Sequence, residues 1–421
     1  MADWTTEVFE NEYLPADATD VHAIVTVTCQ GAGTAGQSGA AAEVIIVDTS
    51  GSMSMPHDKI VSARQAAAAA IEEIVDGTWF AVIAGDNSAH RVYPDQSALV
   101  QAGPDTRAEA KSAVQHLDPG GGTAIGSWLT AAAALFATVE ADQRHAILLT
   151  DGRDESETPR DLQAGIDAGR GFFQCDCRGV GEDWEVNELR GIASALLGSV
   201  DIIAQPEGMA EDFQAMMRAS MGRGVADAKL RVWTPQGSQL LFVRQVSPTI
   251  EELSDRAVQV SELVREYPTG SWGDESRDYH VAVKVPPKTL GAEQLVARVQ
   301  LVVDDAVAGQ GLVRATWSDD STLTTRINPA VAHYTGQAEL ASVIQEGLAA
   351  KAAGDDATAT IKLGRAAQLA AETGNEEATN KLQRVVEITD ADTGTVKLKR
   401  DVSKLDEMAL DTSSTKTTRV R

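Results

Sequence analysis

A chain of 421 residues, 43% of them hydrophobic, holds enough apolar material for two or three buried cores. Its 62 acidic side chains outnumber 36 basic ones and leave a formal net charge of -26. That balance argues against nucleic acid and anionic lipid as main partners, because both are recognised through basic patches.

The opening residues, MADWTTEVFENEY, lack both a basic leader and an apolar stretch, so no secretory signal is expected. No apolar run approaches bilayer length, so no membrane insertion is expected either. Residues 20–29, DVHAIVTVTC, alternate apolar and polar positions and predict a half-exposed strand. The following GAGTAGQSG contains G-x-G-x-x-G as Gly31, Gly33 and Gly36. A dinucleotide loop would open a helix at that point, whereas here the chain runs into another strand, so the stretch reads as a flexible linker.

Residues 44–54, VIIVDTSGSMS, form the stretch on which the rest depends. The aliphatic run predicts a strand covered on both faces, and it ends in Asp48, Ser50 and Ser52. Ligands of open α/β sheets gather beyond the carboxyl ends of the strands. One carboxylate and two hydroxyls at this spacing suit a hard cation such as Mg²⁺. Next come a helix over 62–75, a strand over 78–84 with a turn at Asp86 and Asn87, and a helix over 108–116. The loop PGGGT places Thr123 ahead of a helix over 124–139, and HAILLTDG is a second aliphatic strand, ending at Asp151. Helix over 160–168, strand over 171–180, helix over 184–197, strand over 199–204 and helix over 209–221 complete an alternation that predicts a doubly wound, mainly parallel sheet. Cys175 and Cys177 share one face of their strand with no further Cys or close His, so they read as buried thiols. With only three cysteines in all, a reducing, cytoplasmic setting is expected.

DTSGS, GGT and TDG, in this order, resemble the von Willebrand factor type A family and its metal-ion-dependent adhesion site. The resemblance spans about residues 40–222. It implies that Ser50, Ser52 and Thr123 ligate a divalent cation directly or nearly so, while Asp48 and Asp151 act partly through water. It further implies Mg²⁺ as the ion, with Mn²⁺ or Ca²⁺ as alternatives, and an Asp or Glu of a partner protein as the remaining ligand.

From residue 228 onward, short alternating runs predict an antiparallel β-sandwich. The early strand over 20–29 has no evident partner in the α/β region and is expected to complete that sandwich. The α/β domain would then be inserted into it, as in inter-alpha-trypsin-inhibitor-like and calcium-activated-chloride-channel-like relatives. Alanine-rich helices are expected over 337–353, 355–373 and 376–386. The expected division is 1–39 (one or more sandwich strands and a linker), 40–222 (von Willebrand factor type A domain), 226–333 (sandwich), 335–390 (helical region) and 391–421, a tail largely disordered at its end. Thr412, Thr415, Thr417 and Thr418 in that tail are candidate phosphorylation sites. The tail resembles those of actinobacterial von Willebrand factor type A proteins that accompany serine/threonine kinases and forkhead-associated domain proteins.

The expected function is non-enzymatic, metal-dependent binding of a partner's carboxylate. A metal-assisted hydrolase is the rival; it would need a general base beside the ion, and neither His nor Glu neighbours the two aspartates in sequence. A secreted adhesin is the third reading, disfavoured by the N-terminus.

Overall fold

The computed structural model describes residues 2–36 and 39–419, so part of the expected linker and the last two residues of the tail lie outside the described residues. The chain opens with three strands, β1 (Asp3–Glu10), β2 (Tyr13–Leu14) and β3 (Asp20–Gln30), then enters an alternating α/β region. That region comprises β4 (Ala41–Asp48), α1 (Asp58–Glu73), β5 (Trp79–Gly85), β6 (Ala89–Tyr93), β7 (Val100–Gln101), α2 (Pro104–Val114), α3 (Ile125–Phe136), β8 (Gln143–Thr150), α4 (Pro159–Gly169), β9 (Gln174–Val180), α5 (Val186–Ala195), β10 (Val200–Ile203) and α6 (Met209–Met221).

β4 lies at the centre of a sheet ordered β10-β9-β8-β4-β5-β6, with β7 also on β5. It pairs in parallel with β5 and β8, and only β6 and β7 run antiparallel. Every residue of β4 is buried, as its unbroken aliphatic run requires, and each of Val44, Ile45, Ile46 and Val47 contributes roughly 1.5–3 kcal/mol relative to exposure. The alanines of α1 make one face smooth enough for close packing: Ala63, Ala66, Ala67 and Ala70 share a core cluster with Met209, Phe213 and Met217 of α6.

The remaining strands are β11 (Val225–Trp233), β12 (Gln239–Ser247), β13 (Glu251–Glu252), β14 (Val258–Ser261), β15 (Val264–Trp272), β16 (Ser276–Lys284), β17 (Glu293–Val303) and β18 (Ala306–Trp317). They form a five-stranded sheet, β1-β3-β16-β12-β13, and a six-stranded sheet, β14-β15-β11-β17-β18-β2. β3 pairs antiparallel with both β1 and β16, Val25 lying opposite Val8 and Tyr279. One compact unit takes residues up to 31, 227–269 and 274 onward; the other takes 32–226 and 270–273. The fold is therefore a parallel α/β domain combined with antiparallel sandwich sheets and C-terminal helices.

Those helices, α7 (Ser321–Thr324), α8 (Pro329–Ala352), α9 (Asp356–Glu372) and α10 (Glu376–Val385), are followed by a hairpin of β19 (Val386–Asp390) and β20 (Thr395–Leu398), and by α11 (Lys404–Ser413). Ala330, Val331 and Tyr334 of α8 pack on Ile24 and Val246 of the sandwich.

The tail departs from expectation. Its described part is ordered: Ser403 caps α11 by accepting from Asp406 N, and Met408 and Leu410 are buried. The hydroxyls that suggested a solvated segment are satisfied by the helix itself, Thr412 Oγ1 donating to Met408 O at 2.7 Å and Ser413 Oγ to Ala409 O at 2.8 Å. Thr412, expected to be accessible, is 1% exposed. Beyond α11 the chain is strapped to the sandwich and to α8: Ile250 N donates to Thr415 O, Thr417 Oγ1 donates to Val246 O, and Gln337 Nε2 donates to Thr418 Oγ1. Arg419 then places Nε and Nη2 3.1 and 3.0 Å from the two oxygens of Asp278, which is 2% exposed.

Candidate metal centre

Parallel pairing sends β4 and β8 out of the sheet side by side, so the residues after each emerge together. The turn after β4 continues as a short 3₁₀ segment, Gly51–Ser54, and is tied down on two sides. Thr49 N donates to Gly85 O at 2.7 Å, while Gly120 N donates to Thr49 O and Gly51 N to Gly121 O at 2.7 and 3.0 Å. Gly121 takes φ 77° there, a backbone conformation that side-chain-bearing residues rarely adopt. The Thr123 loop is thereby held against the Asp48 turn.

The five predicted residues meet. Ser50 N donates to Asp48 Oδ1 at 2.7 Å, the hydroxyls of Ser50 and Ser52 are 2.9 Å apart, and Ser52 Oγ donates to Asp151 Oδ1 at 2.5 Å. Thr123 joins from the far side. A methyl group built on Gly152 would stand 3.0 Å from Thr123 Oγ1, 3.6 Å from Ser52 Oγ and 4.0 Å from Asp48 Oδ2. Glycine there lets the turn after β8 come close to oxygens of the other two loops.

Asp48 and Asp151 are both fully buried. Burial pushes the Asp48 carboxyl up to about 6, against the pull of hydrogen bonds from Ser50 and Thr150 and with the Asp151 charge adding to the rise. Three hydroxyls and two buried carboxylates drawn from three loops are a donor set that fits an oxygen-preferring divalent cation. Among the described residues no group of three or more His, Cys, Asp or Glu is placed to hold a metal. A site here would therefore rely on hydroxyls.

The sequence reading missed several contributors. Thr150 Oγ1 donates to Asp48 Oδ2 at 2.5 Å, and its place directly before Asp151 was the available signal. Lys59 Nζ donates to Asp151 Oδ2 at 2.7 Å; nothing in the motif pointed to it. The segment after Asp151 clamps the Thr123 loop. Ser156 N donates to Thr123 O at 2.9 Å, and Thr123 N donates to Ser156 Oγ at 3.1 Å. Free N–H groups at the start of α3 are taken by carboxylates, Ile125 N by Asp154, and Gly126 and Ser127 N by Glu157. Burial, with the neighbouring charges of Glu157 and Glu188 adding, pushes Asp154 up to about 7 despite its bond from Ile125 N.

Residues 42–202 match the model of the von Willebrand factor type A domain, and residues 368–414 match that of the von Willebrand factor type A C-terminal domain. A solved von Willebrand factor type A structure from Catenulispora acidiphila is 49% identical, with 99% of this chain and 97% of that chain covered and a TM-score of 0.94. The chain belongs to the von Willebrand factor type A family. The ArnB paralog VWA2 from Sulfolobus acidocaldarius shares the fold of this family member at 16% identity and a TM-score of 0.61, with 98% of each chain covered. The human COPII-coat protein Sec24c shares it at 10% identity and 0.55, with 90% of this chain and 57% of that one covered. Among curated proteins none matches. Von Willebrand factor type A domains are usually interaction or adhesion modules that use a divalent cation. No helix among the described residues is long and apolar enough to cross a membrane.

Proposed function

We propose that this von Willebrand factor type A protein is a non-enzymatic, cytoplasmic binding module that captures an Asp or Glu side chain of a partner protein through a divalent cation. Ser50, Ser52 and Thr123 would hold the ion, with Asp48 and Asp151 behind them. Mg²⁺ is the first choice, since hydroxyl and carboxylate oxygens suit it, and Mn²⁺ or Ca²⁺ would be accepted by the same donors. The cation supplies Lewis-acidic positions that an incoming carboxylate can fill. The chain's residues do the rest: Thr150 and Ser50 N hold Asp48, and Lys59 and Ser52 hold Asp151. The observation that carries the reading is the convergence of oxygens from Asp48, Ser50, Ser52, Thr123 and Asp151, drawn from three loops, with Ser52 exposed at the rim.

Calorimetric titration of Mg²⁺ and Mn²⁺ into the full chain tests it. Asp48→Ala is expected to weaken the ion by roughly 10–100-fold, and pull-down of acidic partners from lysate is expected to vanish in chelator. Binding unchanged in both conditions would sink the proposal.

Regulation belongs to the same proposal: a serine/threonine kinase modifies the strap, and a forkhead-associated domain protein reads the phosphate. Thr415, Thr417 and Thr418 are the acceptors, each half-buried in the strap, while buried Thr412 drops out. Fragment mass spectrometry after kinase treatment is expected to place phosphate within residues 415–418; no phosphate there would remove this part.

A further inference from the structure

Lys59 stands second in α1, where a lysine would ordinarily extend into solvent. Here its side chain is 11% exposed, and Nζ lies 2.7 Å from Oδ2 of a fully buried Asp151. The other oxygen of Asp151 accepts the Ser52 hydroxyl at 2.5 Å. Both oxygens of Asp151 are thus committed, and its charge is balanced at contact distance by an ammonium inside the cluster. Asp48 differs. It takes Ser50 N and the Thr150 hydroxyl, both uncharged donors, and among the described residues no basic side chain is bonded to it.

We propose that Lys59 sets the charge of the candidate metal centre and thereby selects what the centre binds. The inference rests on the reading that this cluster holds a divalent cation. Two carboxylates and one ammonium leave one uncompensated negative charge. A divalent cation added to that set leaves an excess of one positive charge, which a carboxylate cancels and a neutral oxygen ligand does not. Without Lys59 the loaded cluster would be neutral. The cation would be held more tightly and the incoming anion more weakly. Lys59 therefore trades cation affinity for anion selectivity, by an electrostatic effect that a partly buried charge can exert over several ångströms.

The test uses the full chain, with Mn²⁺ as the ion and acetate and acetamide as paired anionic and neutral probes. Mn²⁺ affinity comes from calorimetry, and probe entry is read by the drop in water-proton relaxation at saturating Mn²⁺. The wild type is expected to take acetate in preference to acetamide. Lys59→Met is expected to bind Mn²⁺ about tenfold more tightly and acetate about tenfold more weakly, while Lys59→Arg keeps both values near wild type. Lys59→Met binding Mn²⁺ no more tightly, or acetate as well as wild type, overturns the proposal. Circular dichroism establishes folding, and should Lys59→Met fail to fold, Lys59→Gln decides by the same two readouts. Asp48→Ala separates the two levels: Mn²⁺ affinity unchanged in that variant would overturn the metal centre itself, whereas its loss together with an inert Lys59→Met would overturn only the role given to Lys59.

Discussion

Glu43 and His145 stand opposite each other near the start of β4 and β8, the same strands that end at Asp48 and lead into Asp151. His145 Nδ1 lies 2.8 Å from Glu43 Oε2, and Nε2 lies 2.9 Å from Asp176 Oδ2. Ser220 Oγ serves the other oxygen of Glu43, and Ser199 N and Oγ serve the other oxygen of Asp176. Burial alone would lower the imidazole, yet the Glu43 charge and hydrogen bonds to both carboxylates push it up to about 9. Burial would raise Asp176, yet His145, Arg223 and Arg178 hold it well below the usual carboxylate range. At this end, both buried carboxylates are met by protein cations. At the other end, one of two buried carboxylates, Asp151, has an ammonium, the other, Asp48, has only uncharged donors, and Ser52 stands exposed beside them. A compensated cluster is costly to break, because removing its cation strands buried charge; one short of positive charge, with Ser52 exposed at its edge, is equipped to take an ion from outside.

The largest expected effect breaks the sealed cluster. His145→Gln leaves Glu43 and Asp176 buried without their shared cation and should cost about 3–5 kcal/mol in urea unfolding, with Mn²⁺ affinity of the folded fraction within twofold of wild type. A large loss of Mn²⁺ binding in folded His145→Gln would show that the two ends are not independent. The same cluster sets a pH window. Because the folded-state pKa of His145 is raised from 6.5 to about 9, its contribution is complete below about pH 6.5 and is lost as pH rises through 9, by at most about 3 kcal/mol. Asp176 is depressed, so its contribution is present above its unfolded value of about 4 and fails only in strong acid. Urea midpoints from pH 6 to 10 should fall on the alkaline side for the wild type and stay flatter for His145→Gln; parallel curves would count against a protonated His145.

The rim of this sheet was far more legible in the sequence than its sealed end. Asp48, Ser50, Ser52, Thr123 and Asp151 sit at strand ends and on a glycine loop, in three motifs whose order carries the resemblance that groups them. Lys59 carried no such mark, because whether a lysine in a first helical turn reaches solvent or a buried carboxylate depends on the direction of α1 over the sheet. Glu43 and His145 were hidden for a related reason: Glu43 is a single break in an apolar run, His145 stands just before one, and Asp176, the other partner of His145, lies on a third strand. β1 was missed as well. Its inward positions, Trp4, Thr6, Val8 and Glu10, alternate too weakly in polarity to show until β3 provides the register. The tail misled in the opposite direction. Composition counted its hydroxyls as polar surface, although a hydroxyl that bonds its own helix, as Thr412 does, no longer calls for water.

A smaller perturbation sharpens the comparison at the rim. Ser156 touches no predicted ligand oxygen; it grips the backbone of Thr123, accepting from its N–H and donating to its C=O through N. The approach is so close that a methyl on Gly122 would come within 2.0 Å of Ser156 Oγ. Ser156→Ala removes the side-chain half of that grip and keeps the backbone half. A single net hydrogen bond of this kind is worth about 0.5–1.5 kcal/mol, so Mn²⁺ affinity should fall two- to tenfold, by loosening where Thr123 Oγ1 sits rather than by removing a donor. Global stability should move by less than about 1 kcal/mol. That is the inverse of the pattern for His145→Gln. Should Ser156→Ala lower stability while leaving Mn²⁺ affinity untouched, the clamp would serve the helix start at α3 alone, and Thr123 would be positioned by the glycine loop without help from the segment that follows Asp151.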